Sequence, residues 1–281
     1  MKFRFVSFCL IVFYLVFSSL LFAQSEKNDT TIIENVFRSS RLINQHTTYI
    51  LPYRIMDFRI SHRFGEFNSG AYNFFGLDGP ANIALHFEYS PVKNGMFGIA
   101  RSSLNKMYHG FLKYQVLSQR NNGKMPVSVT VFSGAYLNTT KNPDFIENIQ
   151  RWSYSNQVMV SRKMDFLTVQ VGFSHVHYNL VQYMSDKNTS YYITGLARCN
   201  LSKYFAITGE YAYKLQPNSI KEKFYNNAGI GIEIQTFGHV FQMHVTNAFG
   251  IFENEALAYT RTRWDNGGIR LGFNVSRYFG I

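Results

Sequence analysis

The chain is short of cysteine, proline and charge. Two cysteines among 281 residues, Cys9 and Cys199, are too few for a disulfide scaffold or a Cys-rich metal domain. Only 16% of the residues are Asp, Glu, Lys or Arg, and six are proline. Beyond residue 23 no apolar stretch approaches the about 18 residues of a spanning helix, and the mean hydropathy of −0.14 excludes a bundle of such helices. Sparse charge does not make the chain disordered, because 46% of it is hydrophobic. No serine stands in a Gly-x-Ser-x-Gly turn, so the commonest hydrolase signature is missing.

What the chain does have is a basic, apolar start and an excess of aromatic residues. Lys2 and Arg4 precede an apolar run from Val6 to Phe22, and Ala23 is followed by polar Gln24 to Asp29. This reads as a signal peptide over 1–23, with an uncleaved anchor as the competing reading of the same run. The leader holds two bases and no acids, so its removal takes the net charge from +11 to +9. Any later membrane crossing must then be made by strands.

From about Arg54 onward, apolar and polar residues alternate in short segments. Met56, Phe58, Ile60 and Phe64 oppose Asp57, Arg59, Ser61 and Arg63. Ile83, Leu85, Phe87 and Tyr89 oppose Ala84, His86 and Glu88, and similar segments begin near Leu167, Asn227 and Ile269. Weaker ones lie near 96–102, 107–117, 126–136, 151–160, 191–200, 204–213 and 239–247, for a total of twelve. Alternation alone also fits a soluble sandwich. The connections discriminate. Gly65–Asn82, Leu137–Gln150, Tyr178–Ser190, Lys214–Phe224 and Ala248–Gly268 are long, while Ser90–Gly95, Ser118–Met125, Ser161–Asp165, Leu201–Lys203 and Thr236–Gly238 are short. Only Ser102–Lys106 among the first set is modest. Long and short in turn is the pattern of an outer-membrane barrel with short periplasmic turns.

On that topology Tyr108, Trp152, Tyr154, Tyr191, Tyr192, Tyr211, Tyr213 and Tyr225 fall near the outer rim, and Tyr89, Tyr204, Phe205, Tyr278 and Phe279 near the inner one. Such girdles suit rings that keep one edge wet. The expectation is an all-β transmembrane antiparallel barrel of about 12 strands, with 10–14 allowed, over 53–281. Residues 24–52 are expected to be a periplasmic N-terminal segment, with a short helix over Thr31–Leu42, in the periplasm or tucked into the barrel mouth. Both termini are expected in the periplasm of a Gram-negative bacterium.

Particular motifs carry a family resemblance. They are Arg41-Leu42-Ile43-Asn44, then Met56-Asp57-Phe58-Arg59-Ile60-Ser61-His62-Arg63-Phe64-Gly65, then Phe75-Gly76-Leu77-Asp78 with Ala81-Asn82-Ile83. Gly98-Ile99-Ala100-Arg101-Ser102-Ser103-Leu104-Asn105-Lys106 and Gly110-Phe111-Leu112-Lys113-Tyr114 continue the series. The whole resembles a family of membrane-bound β-barrel domains of unknown function found in Bacteroidota-type bacteria, most closely over 41–115. The resemblance implies an outer-membrane barrel and no activity.

The candidate lumen-facing residues are Asp57, Arg59, Arg63, His86, Glu88, Lys113, Arg198, Glu210, Glu233 and Arg270. Acids and bases sharing one inner wall must pair or stay wet. They form a salt-bridge network that fills a narrow barrel, or a polar path for solute past Arg59, Glu88 and Lys113. His175 and His177 share the outward face of one strand, and two ligands do not make a metal site. His86, His109 and His244 face the lumen. No catalytic residue, metal or cofactor is assigned. Ser102 to Lys106 either holds a ligand or caps strand ends. Lys141, Lys187, Lys214, Lys221, Lys223, Arg261 and Arg263 lie in outer loops, suited to lipopolysaccharide phosphates. Nucleic acid does not suit this dispersed charge. The leading expectation is a narrow channel or transporter for small solutes or hydrophobic molecules. The alternative is a non-conducting barrel that anchors a periplasmic or surface protein. An enzyme ranks third.

Overall fold

In a computed structural model of the chain, the described residues are 32–33, 36–121, 125–181, 186–216 and 224–280. The leader, the start of the following segment, Lys221 and Lys223 lie outside them. The described residues form twelve strands: β1 (Ile55–Glu66), β2 (Asn82–Val92), β3 (Gly95–Ser102), β4 (Tyr108–Leu117), β5 (Ser128–Leu137), β6 (Trp152–Lys163), β7 (Leu167–Tyr178), β8 (Thr189–Asn200), β9 (Phe205–Lys214), β10 (Ala228–Thr236), β11 (His239–Thr246) and β12 (Arg270–Gly280). Each pairs antiparallel with its chain neighbour, and β1 pairs with β12 to close the barrel. That seam runs in register from Ile55 opposite Gly280 to Arg63 opposite Gly272, then shifts before Glu66 meets Arg270.

Closure leaves no free sheet edge, so the strand ladders satisfy their backbone groups without water, as hydrocarbon requires. The alternation decides the faces. Ile83, Leu85, Phe87, Leu112, Ile230 and Ile232 are exposed on the outer wall, whereas Asp57, Arg59, Ser61 and Arg63 are buried inside. An apolar exterior over a polar interior is the inverse of a soluble barrel. No helix among the described residues is long and apolar enough to cross a membrane.

Two of the expected rim aromatics point inward instead. Tyr192 is buried against Leu257 and Ala258, and Tyr278 turns in to donate its hydroxyl to Arg38 O at 2.7 Å. Neighbours in a strand face opposite ways, so Tyr191 and Tyr192 cannot both meet lipid.

The lumen is filled from both ends by the chain itself. Residues 36–51 enter from the short-turn end, where Arg38 Nη2 donates to Lys203 O at 2.7 Å. This part of the expected periplasmic segment therefore lies in the barrel, and 36–42 is a series of bends with no helix. Its backbone polar groups bond largely to wall side chains, which removes the reason to form a helical ladder. From the other end comes the β11–β12 connection, residues 247–269, carrying the short helix α1 (Glu253–Ala258) with every residue buried.

Three apolar clusters join these inserts to the wall. Phe37, Leu42 and Leu51 pack with Met96, Phe111, Phe132, Met159 and Leu196. Ile251 and Phe252 pack with Ala84, Ala100, Met107 and Tyr136. Leu257 and Ala258 pack with Val176, Tyr192 and Ala212. Each fully buried large apolar side chain contributes about 1.5–3 kcal/mol relative to exposure, which opposes withdrawal of either insert. Gly229 on β10 lets the N-terminal insert approach, since a Cβ there would stand 3.0 Å from Ile43 Cδ1.

Candidate functional site

The site is the contact between the inserts and the inner wall. Strand period two puts Asp57, Arg59, Ser61 and Arg63 of β1 on one inward row. Arg59 Nη2 donates to Asp57 Oδ2 at 2.9 Å, to Ser39 Oγ at 2.8 Å and to Ser40 Oγ at 3.0 Å, while Nε reaches Ser276 Oγ at 2.8 Å. Glu88 accepts the Ser40 hydroxyl at 2.5 Å and stands 4.0 Å from Arg59 Nη1. Lys113 Nζ donates to Tyr49 O at 2.7 Å and to Ser40 O at 3.3 Å. Three of the nine charges expected on the inner wall, Arg59, Glu88 and Lys113, therefore grip the N-terminal insert, while Arg59 also keeps its wall partner Asp57.

The tightest grip is on the turn at 43–45. The Glu210 carboxylate accepts the backbone N–H of Ile43 at 3.2 Å, of Asn44 at 3.0 Å and of Gln45 at 3.1 Å, plus Asn44 Nδ2 at 2.8 Å. Arg63 Nη2 donates to Ile43 O at 2.9 Å and Asn44 Oδ1 at 3.1 Å from the opposite side. Acid thus takes the turn's donors and base its acceptors. Among the described residues Glu210 has no cation as a hydrogen-bond partner, and its carboxylate is shared over four N–H groups. Further along, Gln170 holds Thr48 N and His46 O, both at 2.8 Å, and Thr130 donates to Thr48 O at 3.1 Å.

The two inserts meet at an ion pair. Arg41 Nη1 pairs with Glu253 Oε1, and His46 Nε2 stands 3.3 Å from the same oxygen. Tyr136 donates to Glu253 Oε2 at 2.7 Å. Next to it, Asn254 Nδ2 donates to Ser153 Oγ at 2.9 Å, and Asn105 Nδ2 donates to Glu255 Oε1 at 2.8 Å. Burial pushes the Glu255 carboxyl up to about 8, against the pull of the Asn105 hydrogen bond.

The remaining candidates lie elsewhere on the wall. Arg198 Nε donates to Glu233 Oε1 at 2.7 Å, and Gln242 Nε2 links Glu233 Oε2, at 3.0 Å, to Arg41 O, at 3.1 Å. Arg270 pairs with Glu66 at 2.7 Å at the long-loop end, and His86 meets the Phe252 ring edge-on. Ser102, Ser103 and the Leu104 N–H all bond Asn82 Oδ1, so that loop caps strand ends. Arg41, Asn44, His46, Glu253 and Glu255 were not among the sequence candidates.

Among the described residues the expected path past Arg59, Glu88 and Lys113 is occupied, because all three heads are buried against Ser39, Ser40 and Tyr49. A cavity of about 680 Å³ lies on the outer wall among Val92, Phe97, Leu112, Val131 and Val158, away from the lumen. A polar cavity of about 270 Å³ opens at the short-turn mouth. Among the described residues no serine hydroxyl bonds a histidine, and no three His, Cys, Asp or Glu stand together as metal ligands.

Fold and site together define a transmembrane β-barrel plugged by its own chain. Residues 37–279 match the membrane bound beta barrel domain family (DUF5777), and the chain belongs to it. The barrel is similar to the NanC porin, with a TM-score of 0.50 and 8% identity over 80% of this chain and 100% of that one. It is also similar to an outer membrane channel from Pseudomonas putida F1, with a TM-score of 0.51 and 13% identity over 83% of this chain and 98% of that one. At such identities the likeness is one of fold. A comparison with curated proteins finds no match.

Proposed function

We propose that the protein is an outer-membrane channel for small polar solutes, closed at rest by residues 36–51 and 247–262 of its own chain. The single observation that carries this reading is the polarity of the contact between wall and insert. Arg59, Arg63, Glu88, Lys113, Thr130, Gln170 and Glu210 hold the N-terminal insert by hydrogen bonds. Were that insert to leave, these groups would face water, which satisfies them, so the wall that holds the insert can also line a water-filled path, as an apolar wall could not. Family membership and porin-like fold support the membrane and the channel-like class. The alternating connections support short turns and both termini in the periplasm, behind a cleaved leader over 1–23. Asp57, Arg198, Glu233, His86 and Arg270 then belong to the polar wall, and the basic outer loops to the lipopolysaccharide layer.

The test is current across a planar lipid bilayer. The purified full chain is expected to insert with brief, infrequent openings. A variant lacking 24–52 is expected to flicker, and one also shortened across 249–261 to give steady ohmic steps. Insertion of the doubly trimmed barrel, with its folded state verified by heat-sensitive electrophoretic mobility, but without current would refute the channel. The surviving reading would then be a barrel that anchors a partner protein.

A further inference from the structure

We infer that the outer wall carries a binding site for a long-chain fatty acid, an inclined trough across β3 to β7 whose polar edge is Ser133, Asn156 and His175. The trough is the cavity of about 680 Å³ on the outer wall. Strand register forms it. Phe97, Leu112, Ser133, Asn156 and His175 stand opposite one another on successive strands and make one row of outward side chains. Gly95, Tyr114, Val131, Val158 and Phe173 make the next outward row, and the backbone between the two rows is the floor. Neighbouring strands lie about 4.8 Å apart, so four spacings give a straight trough of about 19 Å. An acyl chain spans about 15 Å, half of the hydrocarbon core, and fits that length. The row is inclined to the membrane, because Gly95 begins β3 at the short-turn rim whereas Phe173 lies near the middle of β7.

Most of the trough is apolar, and any acyl chain suits that part. The polar edge does not suit hydrocarbon. Ser133 Oγ donates to Asn156 Oδ1 at 2.8 Å, and Asn156 Nδ2 stands 3.4 Å from His175 Nδ1. On their own strands Val131, Val158 and Phe173 lie one outward position below these three, and Tyr154 and Trp152 of the aromatic rim lie above Asn156. The polar edge is therefore inside the apolar band, where polar side chains are costly and mark function. The hydrogen-bonded chain stops at His175, whose ring lies beside His177 and Tyr191 and whose Nε2 has no hydrogen-bond partner among the described residues. A bulk lipid tail offers Nε2 nothing. A carboxyl group kept neutral by the hydrocarbon offers a carbonyl acceptor and a hydroxyl donor, so it satisfies Nε2 in either tautomer of the ring. Glycerolipid esters stay at the interface above this level. A single-chain acid can instead set its head at His175 and lay its tail along the trough toward Gly95. The site lies outside the lumen and is independent of whether the barrel conducts.

The test is photolabelling of the purified full chain in phosphatidylcholine nanodiscs, with a palmitic acid that carries a diazirine near its methyl end. Mass spectrometry is expected to place the label on β3 and β4, around Phe97 and Leu112. Unlabelled palmitic acid should compete at least tenfold better than hexadecane. His175→Phe should cut the labelling at least fivefold, and so should Leu112→Trp, which fills the trough and leaves the polar edge intact. Both variants place an apolar side chain on the lipid face, so the barrel folds, as heat-sensitive electrophoretic mobility would verify. His62→Phe, on the lipid face of β1, should leave the labelling unchanged. Label spread evenly around the barrel, equal competition by hexadecane, or labelling unmoved by His175→Phe would overturn the proposal. So would an equal loss in His62→Phe. Disulfide-linked dimers of a Ser133→Cys variant, with the trough unlabelled in the parent chain, would seat a second copy there and overturn it too.

Discussion

Replacing Glu210 by alanine removes the acceptor that gathers three consecutive backbone N–H groups of the insert, those of Ile43, Asn44 and Gln45. A hydrogen bond to a charged acceptor contributes about 1.5–3 kcal/mol, and a buried donor left unpaired costs about 1–3 kcal/mol. The three bonds share one carboxylate and are not additive, so a loss of about 3 kcal/mol in docking is the conservative figure. Exchange through local opening follows that free energy, and about 3 kcal/mol corresponds to roughly a 150-fold loss of protection. Amide hydrogen exchange at Ile43–Gln45 is therefore expected to accelerate by that order, while amides of β7 such as Val169 and Val171 stay protected. Glu210→Gln keeps one carbonyl oxygen and should fall between, near tenfold. Unchanged exchange at 43–45 in the alanine variant would show that Arg63, Asn274 and the apolar contacts hold the turn alone, and the carboxylate account would be wrong.

Other outcomes follow from the same contacts. Arg41→Met or Glu253→Gln alone strands a buried charge and should cost about 3–5 kcal/mol in opening of the inserts, while the double variant recovers a large part of it; a double variant as weak as the sum of the singles refutes the pairing. Glu255 holds its proton up to about 8 when docked, against an ordinary 4.5, so docking of α1 is strongest below about 4.5 and is lost progressively as pH rises through 8. Proteolysis across 249–261 should be faster at pH 9 than at pH 6, and Glu255→Gln should erase the difference; an unaltered pH response in that variant points to another group. Gly76 has φ +88° and lies so near β1 that a Cβ would stand 2.5 Å from Gly65 O. Gly76→Ala should loosen the 67–79 loop, read as faster exchange there, with barrel amides unaffected.

The barrel was legible because its forces are local and periodic. Whether Leu85 meets lipid and His86 the lumen is decided by strand parity, and any residue on the strand reports it. The plug has no such period. Val36 to Leu51 is held by side chains on most of the barrel's strands, many separated from it by more than a hundred residues, so no window of sequence contains the reason for its conformation. Two local signals were nevertheless present. The β11–β12 connection carries Ile251, Phe252, Ala256 and Leu257, too apolar for an outer loop that lies in water, and such a loop must bury them somewhere. The lumen wall offered the nearest cover. Likewise Glu210 faces no base directly across the sheet: its partners are Leu196 on β8 and Gly229 on β10, and its inward neighbours on β9 are Thr208 and Ala212. An unmatched buried acid predicts a donor supplied from outside the sheet, and three backbone N–H groups of the insert are that donor. Unbalanced inward charge on a membrane barrel is thus a sequence-readable sign that something other than water is meant to sit inside it.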